Sequence, residues 1–134
     1  MDEERYHQNN IMIVDDDPDI VFSLKQLFER EGFEVTTAYN GRHCLNQLEK
    51  GFHGIILLDL MMPVLDGIET IKRMTVDGFI DRNTIIVLTA KRIQGEEFDE
   101  IYMYIAEYIT KPFDINTLVQ TVKKIAKKPP VKRI

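Results

Sequence analysis

The sequence predicts an α/β fold, a parallel sheet with helices packed over both faces. Three observations carry that expectation. Five short apolar runs alternate with five segments of helical periodicity. The runs are continuously apolar rather than alternating, as strands buried on both faces are. Acidic residues, a threonine and a lysine follow the runs instead of interrupting them, which suits the carboxyl edge of such a sheet.

The elements follow in order. Ile11–Val14 is a short apolar strand. Asp17 and Pro18 read as a helix start, cap then first helical position. Ile20, Val21, Leu24, Leu27 and Phe28 give the helical face, and Gly32 ends it. Phe33–Ala38, rich in β-branched residues, is the second strand. Asn40-Gly41 reads as a turn. Cys44, Leu45 and Leu48 mark the second helix, ended by Gly51. Gly54–Leu58 is the third strand and runs into Asp59. After a loop, Asp66–Glu69 has the look of a capping box and opens a third helix carrying Ile68, Ile71 and Met74. Thr84–Leu88 is the fourth strand, ending at Thr89. Glu96 to about Ile105 forms a fourth helix with a less tidy apolar pattern. Tyr108–Thr110 is a short fifth strand before Lys111-Pro112. Asp114 to about Lys127 is the last helix, with Ile115, Leu118, Val119, Val122 and Ile125 inside, and Pro129-Pro130 stops it.

At 134 residues, 44% hydrophobic and 29% charged, the chain fits one packed domain and not a disordered one. No run is long enough to cross a bilayer, the acidic N-terminus lacks the apolar core of a signal peptide, and Cys44 is a lone cysteine. These features imply the cytoplasm. Six of the 17 basic residues follow Asp114, where no acid remains, so the body carries 11 basic against 22 acidic residues. That balance disfavours direct nucleic-acid binding by this domain. The basic tail reads as a solvated helix end followed by a linker start or a free tail.

The chemistry gathers behind the strands. Asp15, Asp16 and Asp17 follow the first, Asp59 the third, Thr89 the fourth and Lys111 the fifth. Carboxylates crowded at one edge repel one another, and a divalent cation relieves that repulsion. Carboxylates, carbonyls and waters are hard donors that suit Mg2+, and the absence of His and Cys from these positions argues against zinc. A carboxylate can attack phosphorus, while a metal and a lysine neutralise phosphoryl oxygens. The set therefore suits a phosphoryl acceptor better than a general acid/base pair.

Four stretches at these strand ends, Ile13–Pro18 (IVDDDP), Leu57–Gly67 (LLDLMMPVLDG), Val87–Lys91 (VLTAK) and Tyr108–Phe113 (YITKPF), resemble the receiver domain of two-component response regulators. The resemblance covers about residues 10–127. It leaves 1–9 as an N-terminal extension and 128–134 as a basic tail or linker start. It implies a flavodoxin-like, doubly wound five-stranded sheet of order 2-1-3-4-5 with five helices. By the same resemblance, Asp59 accepts the phosphoryl group. Asp16, Asp59 and the Met61 carbonyl bind Mg2+ directly, and Asp15 acts largely through a metal-bound water. Thr89 contacts the phosphoryl group and reorients. Lys111 pairs with Asp59 ahead of a cis bond to Pro112. Tyr108 is the switch aromatic, with plain sheet filler as its other reading. Pro63 and Gly67 shape the loop. The implied partners are a sensor histidine kinase or phosphotransfer protein and a downstream output protein or domain. A homodimer is open. No membrane is involved, and turnover is limited to the chain's own phosphotransfer and slow dephosphorylation.

Other residues have plainer readings. Asp17 is a cap without a metal role, Asp66 and Glu69 mark a helix start, Cys44 and Met62 pack, and His7, His43 and His53 lie on the surface. In receivers the side chains two places after the acceptor and the threonine flank the path of an attacking water. Met61 and Lys91 stand there, which implies slow dephosphorylation. The stretch Tyr104–Glu107 lacks the Gly-Ala and paired acids that receivers commonly carry, so the fourth helix is expected to differ in length or direction. An aspartyl-phosphate phosphatase would carry an acid where Met61 stands. A flavin protein would need a phosphate-cradling loop in place of the Asp cluster. An unphosphorylated adaptor would not need so complete a site.

Overall fold

The chain runs as five βα units: β1 (Asn10–Val14), α1 (Pro18–Arg30), β2 (Glu34–Ala38), α2 (Gly41–Glu49), β3 (Gly54–Leu58), α3 (Gly67–Asp77), β4 (Asn83–Thr89), α4 (Glu96–Ile101), β5 (Ile105–Thr110) and α5 (Ile115–Ala126). The structure, a computed structural model, describes residues 8–62, 64–90 and 95–128, with Glu97 by its backbone alone. Pro63, Lys91, His7 and residues 129–134 lie outside them. All pairings are parallel, in the order β2-β1-β3-β4-β5. No helix among the described residues is long and apolar enough to cross a membrane.

Strand alternation divides the interior in two. Met12, Val14, Ile56, Leu58, Ile85 and Val87 face one way, onto Leu45, Leu48, Ile71 and Met74 of α2 and α3 and Ile101 of α4. Ile11, Ile13, Ile55, Leu57, Ile86 and Leu88 face the other, onto Val21, Leu24 and Phe28 of α1 and Leu118 and Val122 of α5. Each continuous apolar strand is thereby consumed on both sides. Cys44 lies inside the first core, where burial pushes its thiol pKa up to about 12.

Helix starts follow local chemistry. Asp17 accepts from the Asp19 and Ile20 amides with Pro18 at the first helical position, Asp66 accepts from the Glu69 amide, and Asp114 from the Thr117 amide. The ends of α1 and α3 use glycine in the left-handed region, at Gly32 and Gly78.

Four expectations are corrected. Asn40-Gly41 is not a free turn: the Asn40 side chain accepts from the His43 amide and caps α2, which Gly41 opens. The fourth helix stops at Ile101 instead of about Ile105. A single 3-10 turn, Tyr102–Tyr104, then leads directly into β5. The fifth strand accordingly begins at Ile105, three residues early, because pairing of Ile105 and Glu107 with β4 outweighs the weak strand preference of Ala106 and Glu107. Its register skips Ala106, with Ile85 opposite Ile105 and Ile86 opposite Glu107. Finally, Ile115 is exposed, not inside. It is the first residue of α5, and the apolar face of that helix is carried by Leu118, Val119 and Val122 instead.

Candidate functional site

The ladder continues one residue beyond three of the strands. The Asp15 amide donates to the Ala38 carbonyl, that of Asp59 to Val14, and that of Lys111 to Thr89, at 3.1, 3.0 and 2.7 Å. The first residue past β1, β3 and β5 is therefore fixed by main chain alone, and all three project at the carboxyl edge. Sheet order does the rest, since β1 and β3 are neighbours and β4 lies between β3 and β5.

Carboxylate oxygens of Asp15, Asp16 and Asp59 lie within 4.8 Å of one another. Asp15 and Asp59 are buried, at 3% and 6% exposure, whereas Asp16 is open to solvent. Each buried carboxylate is oriented by its own loop. Asp15 Oδ1 accepts the Asp17 amide and Asp59 Oδ1 accepts the Met61 amide, both at 2.9 Å. Their other oxygens face Lys111, whose Nζ lies 2.7 Å from Asp15 Oδ2 and 3.5 Å from Asp59 Oδ2. The ammonium thus bridges both carboxylates and leans toward Asp15, where the sequence reading put its partner at Asp59. The Lys111-Pro112 bond is cis.

Burial raises the Asp15 carboxyl above its ordinary value, and the neighbouring charge of Asp59 adds to this. The Lys111 contact and the Asp17 amide offset it only in part. For Lys111, burial pulls the pKa down, yet the Asp15 hydrogen bond and the charges of Asp15 and Asp59 outweigh it, so the net shift is upward. A half-buried cation held between two buried carboxylates is the arrangement that limits their mutual repulsion.

Thr89 is fully buried, and its hydroxyl has no hydrogen-bond partner among the described residues. A buried unpaired hydroxyl costs about 1–3 kcal/mol, so its place at this edge calls for a ligand or a movement. Tyr108 is half-buried, with its ring edge to face on Phe98 of α4 at 5.7 Å. Met61 is exposed beside the carboxylates, and Met62 packs into the core.

The loop after Asp59 holds features with a weaker sequence signal. The Gly67 amide donates to the Leu60 carbonyl at 3.1 Å and the Gly41 amide to the Leu65 carbonyl at 3.2 Å. Thr70, buried in α3, donates its hydroxyl to the Asp66 carbonyl at 2.7 Å. Val64 sits at φ +71°, a left-handed conformation that a β-branched residue rarely adopts. The glycine at 41 was legible only as a turn former, and the sequence offered no signal for Thr70.

A family model, "Response regulator receiver domain", matches residues 11–123. Among curated proteins, the chain is 34% identical over 123 residues to the transcriptional regulatory protein CpxR of Escherichia coli, covering 90% of this chain and 50% of CpxR. It is 36% identical over 121 residues to the alkaline phosphatase synthesis transcriptional regulatory protein PhoP of Bacillus subtilis, covering 88% and 48%. The chain thus spans about half the length of these relatives. Among solved structures, a CheY-like receiver domain protein from Methanospirillum hungatei matches with a TM-score of 0.82 and 35% identity, over 87% of this chain and 93% of that one. The response regulator TrrA of Thermotoga maritima, in complex with Mg(2+)-BeF, matches with a TM-score of 0.73 and 31% identity, over 87% and 98%. Fold, strand-end residues and family match agree, and the chain belongs to the response regulator receiver domain family.

Proposed function

We propose that this domain is a phosphoryl-accepting switch with Asp59 as the acceptor. The observation that carries this is the pocket itself: a buried carboxylate oriented by the Met61 amide, with a lysine ammonium within reach of it and an unpaired threonine hydroxyl at the same edge. The donor is a phosphohistidine on a sensor kinase or phosphotransfer protein. An Asp59 oxygen forms a bond to phosphorus as the P–N bond breaks. The imidazole nitrogen keeps the electron pair and takes up a proton. Lys111 then pairs with a phosphoryl oxygen, exchanging one anionic partner for another.

The residues fit a Mg2+ ion. Three carboxylates cluster with the backbone of Met61 beside them, an all-oxygen donor set. Asp16, Asp59 and the Met61 carbonyl would hold it, with Asp15 acting through water. That TrrA, a similar response regulator, was solved in complex with Mg(2+)-BeF supports a Mg2+ site in this chain. When bound, the ion supplies charge neutralisation for the transferring phosphoryl oxygens.

Thr89 and Tyr108 transmit the change. A phosphoryl oxygen provides the acceptor that the Thr89 hydroxyl lacks, and Thr89 turns toward it. Tyr108, packed on Phe98, couples that movement to α4. An output domain or protein reads the altered face. Incubation with acetyl phosphate, followed by intact-protein mass spectrometry, tests the reading. One phosphoryl adduct that requires Mg2+ and is lost in Asp59→Asn is expected. An Asp59→Asn chain that acquires the same adduct at the same rate would overturn it.

A further inference from the structure

We propose that Gly41, at the start of α2, is a positioning residue for the metal site, acting through the loop that follows Asp59. The inference rests on the Mg2+ site proposed above. Gly41 has no left-handed φ and forms no free turn, so conformational freedom does not explain a glycine there. Space does. A Cβ at this position would lie 2.1 Å from Thr70 Oγ1, 2.4 Å from the Leu65 carbonyl oxygen and 3.0 Å from Leu65 Cβ. None of these can swing away cheaply: one is main chain, and Thr70 is buried with its hydroxyl committed to the Asp66 carbonyl.

The same close approach lets the Gly41 amide reach the Leu65 carbonyl. The described residues on either side of position 63 are thus stitched, Leu60 by Gly67 and Leu65 by Gly41. Between the stitches lie Met61, whose amide orients Asp59 and whose carbonyl is a proposed ligand, and Val64 in its disfavoured conformation. A strained segment persists only where its surroundings hold it, and α2 supplies one of the two holds. Pushing Leu65 away displaces the loop that presents Met61. Groups hydrogen-bonded directly to a ligand change metal affinity about 10–100-fold when altered, and Gly41, acting one step further back through Leu65, is placed on that scale.

The test uses the full chain, with Mg2+ affinity read by calorimetry and stability by urea unfolding. Gly41→Ala is expected to bind Mg2+ at least about tenfold more weakly. Gly32→Ala is the control: at φ +95° with nothing within 4 Å, it loses stability but keeps its affinity. Adding Thr70→Ala to Gly41→Ala removes one clash and leaves the Leu65 carbonyl displaced, so stability recovers in part and affinity does not. A folded Gly41→Ala with wild-type affinity overturns the proposal, and so does a double variant that recovers affinity together with stability. Amide exchange on the unaltered chain gives a test independent of whether the variants fold. By reciprocity, Mg2+ should slow exchange at the Gly41 amide about threefold or more without slowing it at Gly32. Equal protection with and without Mg2+ overturns the coupling. An unaltered chain that binds no Mg2+ instead overturns the metal site itself, and the coupling with it.

Discussion

Asp15 and Lys111 stabilise each other at a cost that burial imposes on both. Because the folded chain raises the Asp15 carboxyl pKa, it holds that proton more tightly than the unfolded chain does. Stability is therefore lost as pH rises from the ordinary carboxyl value through the raised one. Asp15→Asn removes that loss. Without Mg2+ its stability should fall less than the unaltered chain's as pH rises from the ordinary carboxyl range to neutral, while at both ends it loses the nearest partner of Lys111. Urea unfolding at two pH values measures this. Thr89 gives a second prediction. Thr89→Val keeps the shape and deletes an unpaired hydroxyl, so resting stability should hold or rise by about 1 kcal/mol. Acetyl phosphate should still label the variant, but amide exchange across Glu96–Ile101 should no longer respond to labelling. At this scale the residue types of the site were legible: carboxylates, a threonine and a lysine, each just behind a strand. Which carboxylate Lys111 prefers was not, because that depends on side-chain reach across the sheet.

Helices carry their own start and stop signals, so Asp17-Pro18, Gly32, Gly51, Asp66 and Asp114 marked their elements in the sequence as in the structure. The passage from α4 to β5 was less legible because Ala106 and Glu107 are poor strand formers between Ile105 and Tyr108-Ile109, which are good ones, and tertiary pairing decided between helix and strand. α4 is short and is tied to α3 through Lys72, whose Nζ lies 3.3 Å from Glu100 and 3.7 Å from Glu69. Such pairs contribute at most about 1 kcal/mol. Lys72→Met should raise amide exchange across Glu96–Ile101 up to about fivefold and leave Gly67–Asp77 nearly unchanged. Unchanged exchange across Glu96–Ile101 would show that α4 is held by its apolar side alone.

For the molecule as a whole, sheet order converts a linear spacing into a pocket. Residues 15, 59, 89 and 111 are remote in sequence, and each is placed by a strand end. The pocket is thus as rigid as the two cores beneath it. The central claim is that Asp59 itself carries the phosphoryl group. Borohydride reduction of the acetyl-phosphate-treated chain, followed by peptide mass spectrometry, tests this most directly, because an acyl phosphate on an aspartate is reduced to homoserine. Homoserine at position 59, dependent on Mg2+ and absent at 15 and 16, is the predicted result. Homoserine at another acid, with Asp59 intact, would contradict the account.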